Sequence, residues 1–420
     1  MQARIIFAVV FLSAASLLLD LYIVFALRSI LPINTHSRKV IPPIYILLAM
    51  INIIIITSML YSNIMDWPKV MRNYAMMFVV LFLLFKFIFA LFLVIDDIWR
   101  LGEWLKNKCT SSEYKKSSGF DITRHRFLVW MGLVIASIPS LSLLYGAIFN
   151  PYNYKFRRLT IKLPKLPNAF HGIKIIQISD IHSGSFMNKE PILEVIKKIN
   201  AEDADYLFFT GDIVNNTTME IEEYIPIFGS LKTKSGIYSI LGNHDYGDYW
   251  LWDKPEDKIK NLQRMYQVHE EMGWNLLRNE TKVLTKDGDT INIIGVENWS
   301  VHSRFPKYGN LELATQNINK DTVSILLSHD PTHWMAEVCK DFPYIDLTLS
   351  GHTHGFQFGI EIPGWRWSPA QYIYKQWADL YQNQHQYLYV NRGFGFLGYP
   401  GRVGIMPEVT IFTLESAMLS

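Results

Sequence analysis

The fold is indicated most directly by residues 173–182, which read IKIIQISDIH. The run from Ile173 to Ser179 has the apolar composition of a buried strand, and Asp180 and His182 follow at the point where it ends. A strand end holds a polar side chain more firmly than a flexible loop does. The stretch therefore predicts a buried strand that presents a carboxylate and an imidazole at its carboxyl end.

Four more apolar runs end in polar motifs of the same kind. They are Tyr206–Thr210 before Gly211-Asp212, Ile237–Leu241 before Gly242-Asn243-His244-Asp245, Val323–Leu327 before Ser328-His329-Asp330, and Ile345–Leu349 before Ser350-Gly351-His352-Thr353-His354. One such motif alone is typical of a turn, but five in one chain indicate a shared crevice at adjacent strand ends. Aspartate, neutral imidazole and amide oxygen together suit divalent Mn, Fe or Zn. We therefore expect a metal centre.

The order of these motifs resembles the signature of the calcineurin-like metallophosphoesterase family, over about residues 170–415. The tail, with Asn391-Arg392-Gly393-Phe394-Gly395 and Pro407-Glu408-Val409-Thr410, resembles the membrane-associated bacterial branch. The resemblance implies a four-layer α/β/β/α sandwich of two mixed sheets. Phe356 stands where many family members have a second glycine after the Gly-His-Thr-His-Gly motif, and it would narrow the mouth of the site.

The resemblance also implies the role of each ligand. Two divalent metal ions are expected as cofactors, the first bound by Asp180, His182 and His354 and the second by Asn243, His329 and His352. Asp212 would bridge them, since one carboxylate can hold two cations about 3.5–4 Å apart. A water between such metals becomes hydroxide near neutral pH and attacks phosphorus in line.

The remaining polar residues of the motifs leave alternatives open. His244 is predicted to stay off the metals and to donate a proton or a hydrogen bond to the leaving oxygen. Asp245 either orients that imidazole or caps backbone N–H groups of its turn. Arg392 and Arg402 either bind a substrate phosphate or pair with carboxylates.

The first third of the chain has the composition of a membrane domain. Four apolar runs are each about as long as the roughly 20 residues that a spanning helix needs: Ile5–Leu27, Ile41–Tyr61, Tyr74–Ile95 and Phe127–Phe149. Asp20 and Lys86 lie inside these runs, and they either pair with each other or extend their charged ends to the membrane interface, the second alternative being better for Asp20 near its helix end. The predicted domains are a four-helix transmembrane domain over 1–150 with a basic loop at 96–126, a linker over 151–170, and an α/β catalytic domain over 171–420.

The distribution of Lys and Arg residues indicates how the chain is oriented in the membrane. The 96–126 loop carries seven Lys and Arg residues, which the positive-inside rule places in the cytoplasm. The sequence thus predicts a multi-pass protein of the bacterial inner membrane with its catalytic domain outside. Residues 151–420 hold 26 Lys and Arg against 31 Asp and Glu, a balance that argues against nucleic acid as a partner.

The predicted function is hydrolysis of a phosphodiester or pyrophosphate by a metal-bound hydroxide, with membrane lipid as a partner and a phosphoester that is lipid-linked or near the membrane as substrate. The first alternative, implied by the resemblance, is a UDP-2,3-diacylglucosamine pyrophosphatase. The second is a receptor or transporter with a ligand-binding soluble domain. The aromatic stretch from Ile362 to Tyr374 either packs on the sandwich, the preferred interpretation, or forms a rim that faces the membrane.

Overall fold

A computed structural model of the chain describes residues 2–32, 34–62, 67–109 and 120–416. These residues form two compact units, 1–145 and 146–420.

The first unit consists of long apolar helices: α1 Gln2–Ile30, α2 His36–Tyr61, α3 Lys69–Cys109 and α4 Phe120–Phe149. Each contains a segment long and apolar enough to cross a membrane, which confirms the four predicted spans. The predicted 96–126 loop is too long, because α3 continues without a proline to Cys109 and α4 begins at Phe120. Lys115 and Lys116 lie outside the described residues.

The predicted pair of intramembrane charges is present. Lys86 Nζ lies 2.8 Å from the Asp20 carboxylate and donates to Ser16 Oγ at 2.9 Å, and the Tyr45 hydroxyl donates to Asp20 at 2.7 Å. Lys86 and Asp20 are both buried. A buried charge in apolar surroundings needs such partners, so this cluster ties α1 to α2 and α3.

The second unit is built on two six-stranded sheets and a small hairpin. Its strands are β1 Lys155–Leu163, β2 Lys174–Ile178, β3 Tyr206–Phe209, β4 Ile237–Ser239, β5 Asn275–Leu276, β6 Glu280–Lys286, β7 Asp289–Gly295, β8 Ser324–Leu327, β9 Leu347–Ser350, β10 Ile360–Ile362, β11 Trp365–Trp367, β12 Asp379–Asn383, β13 Gln386–Val390 and β14 Glu408–Ser416. Its α-helices are α5 Glu190–Asn200, α6 Ile225–Phe228, α7 Pro255–Glu271, α8 Leu311–Ala314 and α9 Cys339–Asp341.

Both sheets are mixed. The first has the order β1-β14-β2-β3-β4-β5 and the second β12-β13-β9-β8-β7-β6. In the first sheet β14 is antiparallel to β2, and in the second β6 and β12 are antiparallel to β7 and β13. The pairings among β2, β3 and β4 and among β7, β8 and β9 are parallel, so these strands end at a common edge of their sheet.

The core lies in three layers that follow from the alternation of side chains along each strand. Between the sheets, Phe208, Ile293 and Phe412 belong to one buried cluster. On the outer face of the first sheet a second cluster joins strand residues to α5 and α7, and on the outer face of the second sheet a third joins them to Leu311 and Trp334. This arrangement confirms the predicted α/β domain with two mixed sheets and helices outside.

The segment predicted as a linker, 151–170, is largely part of the sandwich. Its residues Lys155–Leu163 form β1, which pairs in parallel with β14 along nine residues. Ile161 and Leu163 are buried between the sheets. The prediction was wrong because the strand's partner lies at the far end of the chain, where local sequence gives no sign of it.

Candidate metal centre

The polar motifs predicted at strand ends do meet at one edge of the sandwich. Asp180 and His182 follow β2, Asp212 follows β3, His329 follows β8, and His352 and His354 follow β9. Five of the seven predicted ligands have left-handed backbone: Asp180, His182, Asp212, His352 and His354, with φ between 47° and 72°. This conformation is costly for residues other than glycine, and its concentration here is typical of a functional site.

The first cluster of donors is formed by Asp180, His182 and His354. His182 Nε2 lies 3.0 Å from His354 Nε2, which in turn lies 3.3 Å from Asp180 Oδ1. All three side chains are buried. One donor atom from each lies within 4.8 Å of the others, so the three could hold one metal ion.

The second cluster is formed by Asp212, His329 and His352. His329 Nε2 lies 3.1 Å from Asp212 Oδ2 and 3.2 Å from His352 Nδ1. The same Asp212 Oδ2 lies 3.6 Å from His182 Nε2 of the first cluster. This carboxylate oxygen therefore stands between two candidate metal sites.

A hydrogen bond to one ring nitrogen of each histidine determines which nitrogen is available to a metal. Nδ1 of His329 lies 2.7 Å from the carbonyl oxygen of Thr210, and Nδ1 of His182 lies 3.2 Å from that of Val214. Each Nδ1–H thus donates to a carbonyl, which leaves Nε2 with a lone pair for a metal. His352 is turned the other way, with Nε2 3.5 Å from Asp330 and 3.0 Å from the Tyr374 hydroxyl.

Asn243 provides a direct test of whether the site fits a metal. Its Nδ2 donates to the Tyr249 hydroxyl at 2.9 Å, which fixes the amide orientation. Its Oδ1 is buried and has no hydrogen-bond partner among the described residues. A buried acceptor without a partner is costly in a folded protein unless a ligand satisfies it. The donor set therefore fits divalent metal.

The electrostatics favour the neutral, metal-binding forms of His182 and His352. Burial lowers the pKa of His182 to about 3 and that of His352 to about 4, so both rings are neutral at pH 7. Burial also raises the pKa of Asp180 to about 6, and the neighbouring Asp212 charge adds to this. Burial opposes the charge on His329 as well, but the Asp212 and Asp180 carboxylates outweigh it and raise its pKa to about 10, so this ring has to release its Nε2 proton when it binds a metal.

His244 stands at the site without belonging to either cluster. Its Nδ1 donates to the carbonyl oxygen of Asn215 at 2.6 Å, so Nε2 is left for a substrate. Asp245, predicted either to orient this ring or to cap its turn, does the second. Its carboxylate accepts from the backbone N–H groups of Gly242, Asp212 and Ile213 at 2.8–2.9 Å. The orienting role assigned to Asp245 was wrong, and Asn215 has it instead.

The predicted phosphate-binding roles of Arg392 and Arg402 were also wrong. Both guanidinium groups are buried. Arg392 donates to Glu408 at 2.8 Å and to Glu361 at 2.6 Å. Arg402 donates to the backbone carbonyls of residues 392, 393 and 395, so its partners are not the predicted carboxylates. Buried charges require such partners, and the Gly-rich tail encloses them.

An open cavity of about 190 Å³ lies over the metal ligands. Besides His244 and Asn243, it is lined by Arg304, Phe305, Tyr374 and Phe356. Phe356 is exposed at the mouth, as expected from its place in the sequence. Sequence reasoning missed Arg304, which lies in the irregular segment between β7 and α8, where no strand end or motif marks it.

Comparison with known proteins gives two family matches. Residues 173–356 match the model of "Calcineurin-like phosphoesterase", and residues 3–151 match that of "Probable Calcineurin-like phosphoesterase, transmembrane domain". Together they span both units.

Similar proteins occur in bacteria and animals. The "Uncharacterized metallophosphoesterase YkuE" of Bacillus subtilis is 32% identical over 65% of this chain and 89% of its own length. A "Transmembrane protein with metallophosphoesterase domain" from Danio rerio is 26% identical over 80% of this chain and 71% of its own length. The "UDP-2,3-diacylglucosamine pyrophosphatase LpxG" of Chlamydia muridarum is 28% identical over 62% of this chain and 89% of its own length.

These matches agree with the strand-end ligands, the two candidate metal clusters and the four apolar helices. The chain is a membrane protein with a metal-dependent phosphoesterase domain, and it belongs to the calcineurin-like phosphoesterase family.

Proposed function

We propose that the protein is a dinuclear-metal phosphohydrolase that cleaves a phosphodiester or pyrophosphate bond in a lipid-linked or membrane-proximal substrate. The observation that carries this proposal is the position of Asp212 Oδ2, 3.1 Å from His329 of one donor cluster and 3.6 Å from His182 of the other. A carboxylate that belongs to one donor cluster and also lies beside a histidine of the other is the arrangement that a two-metal phosphoesterase needs.

Two bound divalent cations would supply a water of lowered pKa as nucleophile and would neutralise charge on the phosphoryl oxygens. Asp180, His182 and His354 would hold one, His329, His352 and Asn243 the other, and Asp212 both. Mn, Fe and Zn all suit these donors. Burial of the ligands excludes bulk water from their inner side, which strengthens each electrostatic contact.

Two residues of the cavity act on the substrate in this proposal. His244, held through Nδ1 by the Asn215 carbonyl, presents Nε2 to the cavity and donates a proton or hydrogen bond to the leaving oxygen. Arg304 binds the substrate phosphate, which is the role that the sequence predicted for Arg392 and Arg402. Arg304 lines the cavity, whereas Arg392 and Arg402 are buried.

A pyrophosphate bond in a nucleotide-linked lipid is the second candidate substrate. It is favoured by the similarity to the Chlamydia UDP-2,3-diacylglucosamine pyrophosphatase over 62% of this chain. That substrate is cytosolic, so the orientation of the catalytic unit separates the two candidates.

For the orientation we propose the bacterial inner membrane with the catalytic unit outside the cytoplasm. Arg100, Lys106 and Lys108 on α3 and Arg124 and Arg126 on α4 lie at the facing ends of these helices, where positive charge favours the cytoplasm. An alkaline phosphatase fusion after Asn150 should then be active, and a green fluorescent protein fusion there should be dark. The reverse pattern would place the unit inside and favour the nucleotide-lipid.

The function is tested by a phosphoester screen on purified full-length protein supplied with Mn, Fe or Zn. The panel contains chromogenic phosphodiesters, phosphomonoesters, UDP-2,3-diacylglucosamine and phospholipids. We expect hydrolysis of diesters or pyrophosphates that stops on chelation. Turnover of monoesters alone would contradict the proposal.

A further inference from the structure

The β10–β11 hairpin has one polar and one apolar face. Its cross-strand pairs are Ile360 with Trp367, Glu361 with Arg366, and Ile362 with Trp365. Because side chains alternate along a strand, Glu361 and Arg366 share one face and the four apolar residues share the other. The hairpin is therefore amphipathic.

The polar face is fixed to the sandwich by ion pairs. Glu361 accepts from buried Arg392 at 2.6 Å and from Arg157 of β1 at 2.5 Å. Arg366 donates to Asp379 of β12 at 2.6 Å. Because these ion pairs hold the polar face against the sandwich, the apolar face of the hairpin is turned away from the sandwich.

Three of the four residues on the apolar face are exposed, and the fourth, Trp367, is partly buried. Ile360 is 49% exposed, Ile362 55% and Trp365 52%, and the neighbouring Tyr372 and Ile373 are exposed as well. Tyr374, by contrast, is buried beside His352. Of the two interpretations of the aromatic stretch, packing thus holds for Tyr374 and not for the hairpin. Contiguous exposed aromatic and branched apolar side chains mark an interaction surface.

Within the second unit, hydrogen bonds connect this hairpin to residues 146–150, which include the last turn of α4. The Gly146 carbonyl, in the final turn of α4, accepts from Arg402 N at 3.2 Å, and Asn150 Nδ2 donates to the Arg402 carbonyl at 2.9 Å. The next residue, Val403, accepts from Gly359 N at 2.8 Å. Gly359 directly precedes β10. The base of the hairpin is therefore linked to the last turn of α4 through the backbone of Arg402 and Val403.

We infer that the apolar face of the hairpin, with Tyr372 and Ile373, is a second membrane contact, which inserts into the interfacial layer of the bilayer that holds α4. Tryptophan and tyrosine suit this layer because one end of each side chain is apolar and the other polar, and isoleucine adds apolar area that can enter the boundary of the acyl chains. Only five residues separate the predicted ligand His354 from Ile360, and exposed Phe356 lies between them at the cavity mouth. The contact therefore sets the mouth of the site at the lipid surface, a consequence that rests on the proposed function, whereas the contact itself does not.

The test uses the full chain in phospholipid vesicles, with Cys109→Ser and Cys339→Ser as background. An environment-sensitive fluorophore is attached at Ile362→Cys or, separately, at Trp365→Cys. Leu251→Cys, which replaces an apolar residue 97% exposed elsewhere on the same unit, is the matched control. The measurements are quenching by brominated lipid and quenching by aqueous iodide.

We expect brominated lipid to quench the fluorophore at either hairpin position more than at residue 251, and iodide to do the reverse. If both hairpin positions match residue 251 with both quenchers, the membrane contact is refuted. This readout needs no substrate, so it is independent of whether the proposed hydrolysis is found.

Discussion

Asp245→Asn tests the structural role assigned to Asp245 most sharply. Oδ2 of Asp245 accepts from the N–H groups of Asp212 and Gly242, and Oδ1 accepts from those of Ile213 and Val214. Asparagine keeps the shape but can offer only one acceptor oxygen, so in either orientation it turns an amide NH₂ toward two of these donors. With the NH₂ at the Oδ2 position two N–H groups lose their acceptor, at about 1–3 kcal/mol each, and stability falls by roughly 2–6 kcal/mol.

The effect should appear in both unfolding and metal content, because Asp212 and Asn243 flank the lost bonds. At roughly 2–4 °C per kcal/mol, the unfolding midpoint of the purified protein should fall by at least about 4 °C. Metal analysis should show less than the wild-type content. The control is His244→Asn, which leaves these bonds intact and should keep both values near wild type. An Asp245→Asn protein with normal midpoint and metal content but low turnover would refute the reasoning and restore Asp245 as an orienter of His244.

Three further changes probe the cavity and the membrane unit. His244→Ala should keep the metals and lower kcat by about 10²–10⁴-fold, less for nitrophenyl diesters, and loss of metal would show that His244 is a ligand. Arg304→Ala should lower kcat/KM by about tenfold, as expected for one charge-assisted hydrogen bond to phosphate, and an unchanged value would remove Arg304 from the site. Lys86→Met leaves Asp20 buried without its cation and should destabilise the helices by roughly 3–5 kcal/mol in thermal unfolding, whereas adding Asp20→Leu should recover most of the loss. Equal midpoints for the single and double variants would contradict the pairing.

The sequence predicted which polar side chains meet at one edge of the sandwich because the physics that places them is local. Each apolar run forms a strand, parallel strands end at a common edge, and the next polar residue is then held there. The same reasoning found the four spans, since length and apolar composition suffice for them.

The failures depend on distant contacts. Asp245 can bond a ring or a backbone equally well, and only the approach of the 211–214 loop decides between them. Arg392 and Arg402 lie in a Gly-rich tail whose enclosure is set by Glu408, Glu361 and the end of α4. The residues that adjoin Asp245, Arg392 and Arg402 in the sequence do not indicate these partners.

The central claim is that each chain binds two divalent metals that share Asp212. The most direct test is elemental analysis of the purified full-length protein and of Asp212→Ala, both loaded with Mn, Fe or Zn. We predict close to two ions per wild-type chain and a loss at both sites in the variant, because Asp212 Oδ2 contacts both clusters. A wild-type chain without bound metal, or a variant that keeps both ions, would contradict the account.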